Sequence, residues 1–185
     1  MVLEIVKYGH PALRQKGALV KEVNNKIRQL AIDMLETMDA ANGVGLAAQQ
    51  VGVPIRLAVI DVADVEDRPS TMSIDGKPVD LEAQMPLILL NPELTLSSEK
   101  EPGNEGCLSF PEITAEIPRS IGVHVHAHTL DGDEIEFDAT GLLARALQHE
   151  VDHLNGVLFI DRMTSATRTS LAGKLKRLQR ESVRE

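Results

Sequence analysis

His149 and His153 stand four residues apart with Glu150 beside the first of them, a His-Glu-x-x-His spacing. On a helix that spacing puts the two imidazoles about 40° apart on one face, close enough to chelate a single ion, with a carboxylate beside them that could take or give a proton. The stretch 140–154 has the matching period. Leu142, Ala146, His149 and His153 fall on one arc, and Leu143, Ala144, Leu147, Val151 and Leu154 on the apolar arc next to it. One arc is expected to anchor the helix in a core and the other to present its imidazoles to a cavity. Two imidazoles alone leave an ion short of donors, so a third ligand decides the chemistry. No histidine follows His153, and Glu181 and Glu185 lie in a basic stretch that would face solvent, which leaves little beyond Asp161 downstream. Upstream stands the chain's single cysteine, Cys107, in Glu105-Gly106-Cys107-Leu108-Ser109. Taken alone it reads at least as readily as an inert buried thiol, although Gly106 and Pro111 favour a loop or strand end over a core position.

The elements that must position these residues can be read from pattern. Residues 24–42 predict a helix capped by Asn24, with Ile27, Leu30, Ile32, Met34, Leu35 and Met38 near helical spacing and Gly43 as its stop. Residues 55–62 and 87–90 predict strands, the second ending at Asn91-Pro92. Between them, 63–86 is polar and acidic, carries the hairpin signal Asp75-Gly76, and is expected to be a mobile surface excursion. From 94 to 137, short strands separated at Pro102-Gly103, Pro111, Pro118, Gly122 and Asp131-Gly132 predict an antiparallel sheet. Residues 165–185 predict a basic amphipathic terminal helix, with Leu171, Leu175 and Leu178 on one side and Lys174, Lys176, Arg177, Arg180 and Arg184 elsewhere. His124, His126 and His128 alternate and so share a strand face. With no acid or thiol spaced to complete a second metal site, an exposed face is the expectation there.

A chain of 185 residues, 43% hydrophobic, can bury one real core, so one domain, 1–185, is expected. A net charge of −9 argues against a surface that grips DNA or an anionic membrane as a whole. No run reaches the ~20 apolar residues of a spanning helix, and residues 1–10 lack a basic leader or apolar signal core, so a bacterial cytoplasmic location is expected. One cysteine excludes an internal disulfide.

Three segments together resemble a known family. Gly43-Val44-Gly45-Leu46-Ala47-Ala48-Gln49-Gln50, Glu105-Gly106-Cys107-Leu108-Ser109 and Gln148-His149-Glu150-Val151-Asp152-His153-Leu154 are similar to the three signature motifs of peptide deformylases, in the same order and at similar separations. The resemblance runs from Tyr8 to Phe159. It implies an α+β fold, with short antiparallel sheets packed around a central helix that bears His-Glu-x-x-His. It further implies Cys107, His149 and His153 as ligands of one divalent ion and Glu150 as the catalytic carboxylate, with the Gln50 amide and the Leu108 N–H as oxyanion donors. The glycine segment through Val44 and Gly45 would pair with the substrate backbone. The methionine side chain would enter a pocket lined by Val44, Leu142, Ala146 and His149, with the Arg145 stem along its rim and its head in solvent. The implied reaction is hydrolysis of the N-formyl group from nascent polypeptides, releasing formate. Coordination chemistry alone favours Zn²⁺ for a thiolate and two imidazoles; the resemblance implies Fe²⁺ in the cell, with Ni²⁺, Co²⁺ or Zn²⁺ able to replace it. It also implies a transient ribosome contact through the terminal helix.

Overall fold

The computed structural model describes residues 1–183. The Asn24 side chain accepts the Ile27 N–H at 3.0 Å and starts α1 (Asn25–Ala40). Ala31, Met34 and Met38 form its buried stripe. Ile32 lies off that stripe and is 48% exposed, so the expected apolar pattern includes one residue too many. The chain continues through β1 (Gly45–Ala47), a 3-10 turn (Ala48–Val51) and β2 (Leu57–Ile60). Next come β3 (Ser70–Ile74), β4 (Lys77–Pro78), the single turn α2 (Leu81–Gln84) and β5 (Leu87–Leu96). After these follow β6 (Lys100–Cys107), β7 (Phe110–Ser120), β8 (Gly122–His128), β9 (Glu134–Thr140), α3 (Gly141–Leu154), a further 3-10 turn (Phe159–Arg162) and α4 (Ser165–Val183). Residues 184 and 185 of the expected terminal helix lie outside the described residues.

An antiparallel seven-stranded sheet has the order β1-β2-β5-β8-β9-β3-β4, and β6 with β7 makes a separate two-stranded sheet. The α+β class is as expected, but the strands are not all short. Asn91 was expected to end a strand; instead it takes φ 51° in a bulge, its amide bonding Val20 N and O at 2.9 Å each, and β5 runs on to Leu96. Asparagine tolerates the left-handed region, and a bulge spares Pro92 a ladder donor. The prolines expected to break β6 and β7 lie inside them, with Pro102 in register with Pro118. A two-stranded sheet consists only of edges, where a proline need not interrupt a ladder. The acidic excursion likewise folds back: Asp75 and Gly76 turn with φ 53° and 76°, as a type I′ hairpin requires, and β3 joins the large sheet beside β9.

This β3 segment also starts α3. Gly141 has φ 69°, and a β-carbon there would run into the Pro69 carbonyl, so only glycine fits. The Ser70 hydroxyl then accepts the Leu143 N–H at 2.9 Å and Pro69 O accepts the Leu142 N–H at 3.2 Å, satisfying donors that a helix start leaves open. Leu143, Ala144 and Leu147 pack with Ile60, Leu89, Val125 and Phe137 of the large sheet. The helix is not two-sided as its arcs suggest: every residue from Leu142 to Leu154 except Asp152 is buried. On its far side, Phe110, Phe159 and Leu175 join β7, the 3-10 turn at Phe159–Arg162 and α4.

Candidate metal centre

Cys107 closes β6, where the register with β7 slips before the Leu108-Ser109 turn. That places its Sγ 3.4 Å from His153 Nε2. His149 is one turn up α3, its ring centroid 5.0 Å from that of His153, and the donor atoms of Cys107, His149 and His153 all lie within 4.8 Å of one another. One thiol and two imidazoles gathered so closely fit a borderline or soft divalent ion.

His149 is oriented by Glu105, which the sequence reading passed over although it opens the cysteine motif. Glu105 Oε1 stands 2.8 Å from His149 Nδ1. A carboxylate can only accept there, so Nδ1 carries the proton and Nε2 is left to face the site. Burial would raise the Glu105 pKa, but hydrogen bonds from His149 and Arg119 outweigh it and hold the carboxyl near 2. Arg119 donates to both Glu105 oxygens at 2.9 and 3.0 Å and to Asp152 at 2.6 Å, and Asp152 is in turn bound by Arg162. A chain of alternating charge thus runs from the surface to the imidazole. His153, fully enclosed, is shifted well below its usual value by burial, which keeps it neutral. His149 is shifted the other way, because its contacts with Cys107 and Glu105 outweigh burial. An ion bound at His149 Nε2 must displace the second proton that the charged ring carries there, while Nδ1 keeps the one shared with Glu105.

Arg145 differs from its expectation. Its head does not reach solvent: the side chain is 8% exposed and the guanidinium donates to Glu105 at 2.9 Å, Ile117 O at 2.7 Å and Glu101 O at 3.0 Å. The Glu105 carboxylate pulls it inward, and Gly103 makes room, since a β-carbon there would lie 2.6 Å from Cζ. Arg145 still lines the cavity, as a wall rather than an open rim.

That cavity, about 430 Å³, brings Val44, Gly45, Leu142 and Ala146 together with Cys107, Leu108, Gln50, His149 and Glu150. Gln50 is held by Ala47 N–H to Oε1 at 3.0 Å, which aims its Nε2 at Ser109 Oγ (3.2 Å) and Cys107 Sγ (3.6 Å). Glu150 is 4% exposed, and its Oε2 has no hydrogen-bond partner among the described residues. Burial pushes this carboxyl up to about 7, so the group can exchange a proton near neutrality. Gly45 has a reason beyond the substrate pairing expected of it: a β-carbon there would lie 2.8 Å from Glu150 Oε1 and 3.0 Å from Cγ and Cδ. Gly45→Ala must displace the carboxylate by a few tenths of an ångström. Turnover should fall roughly tenfold, short of the ~10²-fold that a 1 Å misplacement can cost. Metal content should not change, and measuring both on one preparation checks this. Gln148, also unforeseen, clamps α3 to the end of β7 by exchanging bonds with Ser120 N (3.0 Å) and O (2.9 Å).

Comparison with known proteins places this arrangement. A family model described as polypeptide deformylase matches residues 2–169. A peptide deformylase of Methylacidiphilum infernorum is 44% identical over 180 residues, covering 97% of this chain and 94% of that protein. One from Opitutus terrae is also 44% identical over 180 residues, covering 96% and 93%. Among solved structures, a peptide deformylase from Ehrlichia chaffeensis superposes with a TM-score of 0.83 at 37% identity, covering 99% of each chain. A plant peptide deformylase gives 0.83 at 34%, covering 97% and 90%.

Proposed function

The chain belongs to the polypeptide deformylase family, and from that premise we infer that its cavity hydrolyses the N-formyl group of the N-terminal methionine of new polypeptides, releasing formate. It is a metal-dependent hydrolase. Cys107, His149 and His153 would hold one divalent ion per chain, and the close approach of their donor atoms within 4.8 Å supports this. When bound, the ion supplies Lewis-acid polarisation and lowers the pKa of water. The rest falls to the chain. Glu150 takes the proton from the attacking water and returns one to the leaving amine, while the Gln50 amide and the Leu108 N–H donate to the formyl oxygen as charge develops on it. Val44, Leu142, Ala146 and the Arg145 wall enclose the methionine side chain, and the main chain at Gly45 pairs with the substrate. The observation that carries the reading is the Glu150 Oε2, buried and without a hydrogen-bond partner among the described residues, on a residue that lines the same cavity as Cys107 and His149.

In the cell the ion is Fe²⁺, with Zn²⁺, Ni²⁺ or Co²⁺ as substitutes. An anaerobic assay on formyl-Met-Ala with metal analysis of the same sample tests the whole proposal. Formate release should track metal content, and no release from fully loaded protein would overturn it. Gln50→Leu should keep the metal and lower kcat by roughly 10²–10³, the usual loss for one oxyanion donor; a change confined to KM would move Gln50 to ground-state binding.

Residues 1–185 act as one catalytic domain, in keeping with a family match that spans 2–169. No helix among the described residues is long and apolar enough to cross a membrane, and the enzyme works in the bacterial cytoplasm, where new chains emerge. The exposed cations of α4, among them Lys174, Lys176, Arg177 and Arg180, form its ribosome contact. Cosedimentation with ribosomes that weakens as salt rises would support that contact, and no binding at low salt would end it.

A further inference from the structure

A second cavity, of about 420 Å³, opens beside a different face of α3. Gln148, Val151 and Asp152 line it, whereas Leu142, Arg145, Ala146, His149 and Glu150 line the first cavity. At about 100° per residue those two sets fall on separate arcs of the helix, and the cavities have no lining residue in common. The volume is that of a small-molecule site, and Pro92, Leu94 and Val151 give it an apolar flank. Its charges do not cancel. Arg162 donates to both Asp152 oxygens, and Arg119 is divided between Asp152 and Glu105. Arg56 gives its N–H groups to neutral oxygens, Asn155 Oδ1 at 2.9 Å, Pro92 O at 3.2 Å and Leu154 O at 3.4 Å, and exposed Lys100 adds a further cation. With Glu93, four cations (Arg56, Lys100, Arg119 and Arg162) meet three carboxylates (Glu93, Glu105 and Asp152), which leaves one positive charge over in a chain whose net charge is −9.

Strand register adds a polar group to the same wall. Ser120 ends β7 directly opposite Lys100 of β6. Opposed residues share a face of their sheet, and Pro118, two positions before Ser120, turns to that face and also lines the cavity. The Lys100 stem and the Ser120 hydroxyl therefore stand on the cavity side. Ser120 is 3% exposed, and its Oγ has no hydrogen-bond partner among the described residues, although its N–H and C=O are both taken by Gln148. A buried hydroxyl without an acceptor is costly to leave so. We propose that this cavity binds a small organic monoanion, a carboxylate carried on a short aliphatic body. The carboxylate accepts from the Ser120 hydroxyl and lies against the Lys100 and Arg56 charges, and the aliphatic part lies along Pro92, Leu94 and Val151.

The test titrates sodium octanoate into zinc-loaded, isotope-labelled protein and follows the backbone amide NMR signals. Those of Lys100, Ser120 and Asn155 should move and saturate, and acetate or octanol, which lack the tail or the charge, should leave them in place. The double variant Lys100→Gln, Ser120→Ala removes an exposed charge and a hydroxyl that bonds nothing in the protein, so it should keep its fold, which its far-UV circular dichroism spectrum checks. It should bind octanoate at least about tenfold more weakly, the loss expected for one hydrogen bond to a charged group. No movement of the three amides, movement confined to Gly43, Gly45 and Leu108 of the first cavity, an equal response to acetate or octanol, or unchanged affinity in the double variant would each overturn the assignment. Turnover plays no part, so failure of the hydrolase reading leaves this test intact.

Discussion

Glu150→Gln leaves metal content near one ion per chain and lowers deformylation by at least the ~10²–10⁴ expected for a general acid–base, more if both proton transfers pass through this carboxylate. The substitution keeps the size and polarity of the side chain and removes only its capacity to take a proton. The surroundings make that capacity the group's main property. The carboxyl is buried, its pKa is pushed up to about 7, and Oε2 has no bond within the described residues that a structural role would require. A glutamate serving only to pack α3 would lose little on conversion to the amide. Metal stoichiometry and kcat on the same preparation separate the cases. Loss of the ion would make Glu150 structural, and normal turnover with the ion bound would sink the mechanism.

Cys107→Ala removes ion and activity together. The thiolate is the one anionic donor among the three gathered atoms, and two imidazoles with water hold a divalent ion weakly. The effect extends to the fold's linkage, because Cys107 is the only one of the three on the β6–β7 hairpin while both histidines lie on α3. A bound ion therefore ties the two together and stabilises whatever it binds by mass action. Added metal should raise the melting temperature of the unaltered chain and leave that of the variant unchanged. Near-stoichiometric metal in the variant would remove Cys107 from the coordination shell.

The parts of this site legible in the sequence were those carried by local spacing. His149, Glu150 and His153 are a helix pattern, and α1, α3 and α4 followed from period and caps. What pattern could not show was pairing across distance. Glu105 orients His149 from 44 positions away, and it recruits Arg145 and Arg119, so Arg145 turned inward where a place on the pocket rim with its head in solvent was expected. The acids opposite β8, Asp138, Glu136 and Glu134, were equally hidden, because they meet its histidines only through strand register. Local breaker signals misled at Asn91, Pro102 and Pro118, since a bulge and a two-stranded sheet remove the need for the ladder bonds that a proline lacks. The need for glycine at 45 was only partly visible, because the carboxylate that needs its space lies more than a hundred positions later.

The place of β1 at the end of the seven-stranded sheet bears on what the enzyme can discriminate. Among the described residues it has a ladder partner on one side only, and its three residues would offer a guest chain few main-chain bonds. Recognition through backbone atoms ignores side-chain identity, and a short edge keeps such an encounter brief. On the pairing proposed above, a substrate held at this edge would be bound without regard to its second and third side chains and released quickly.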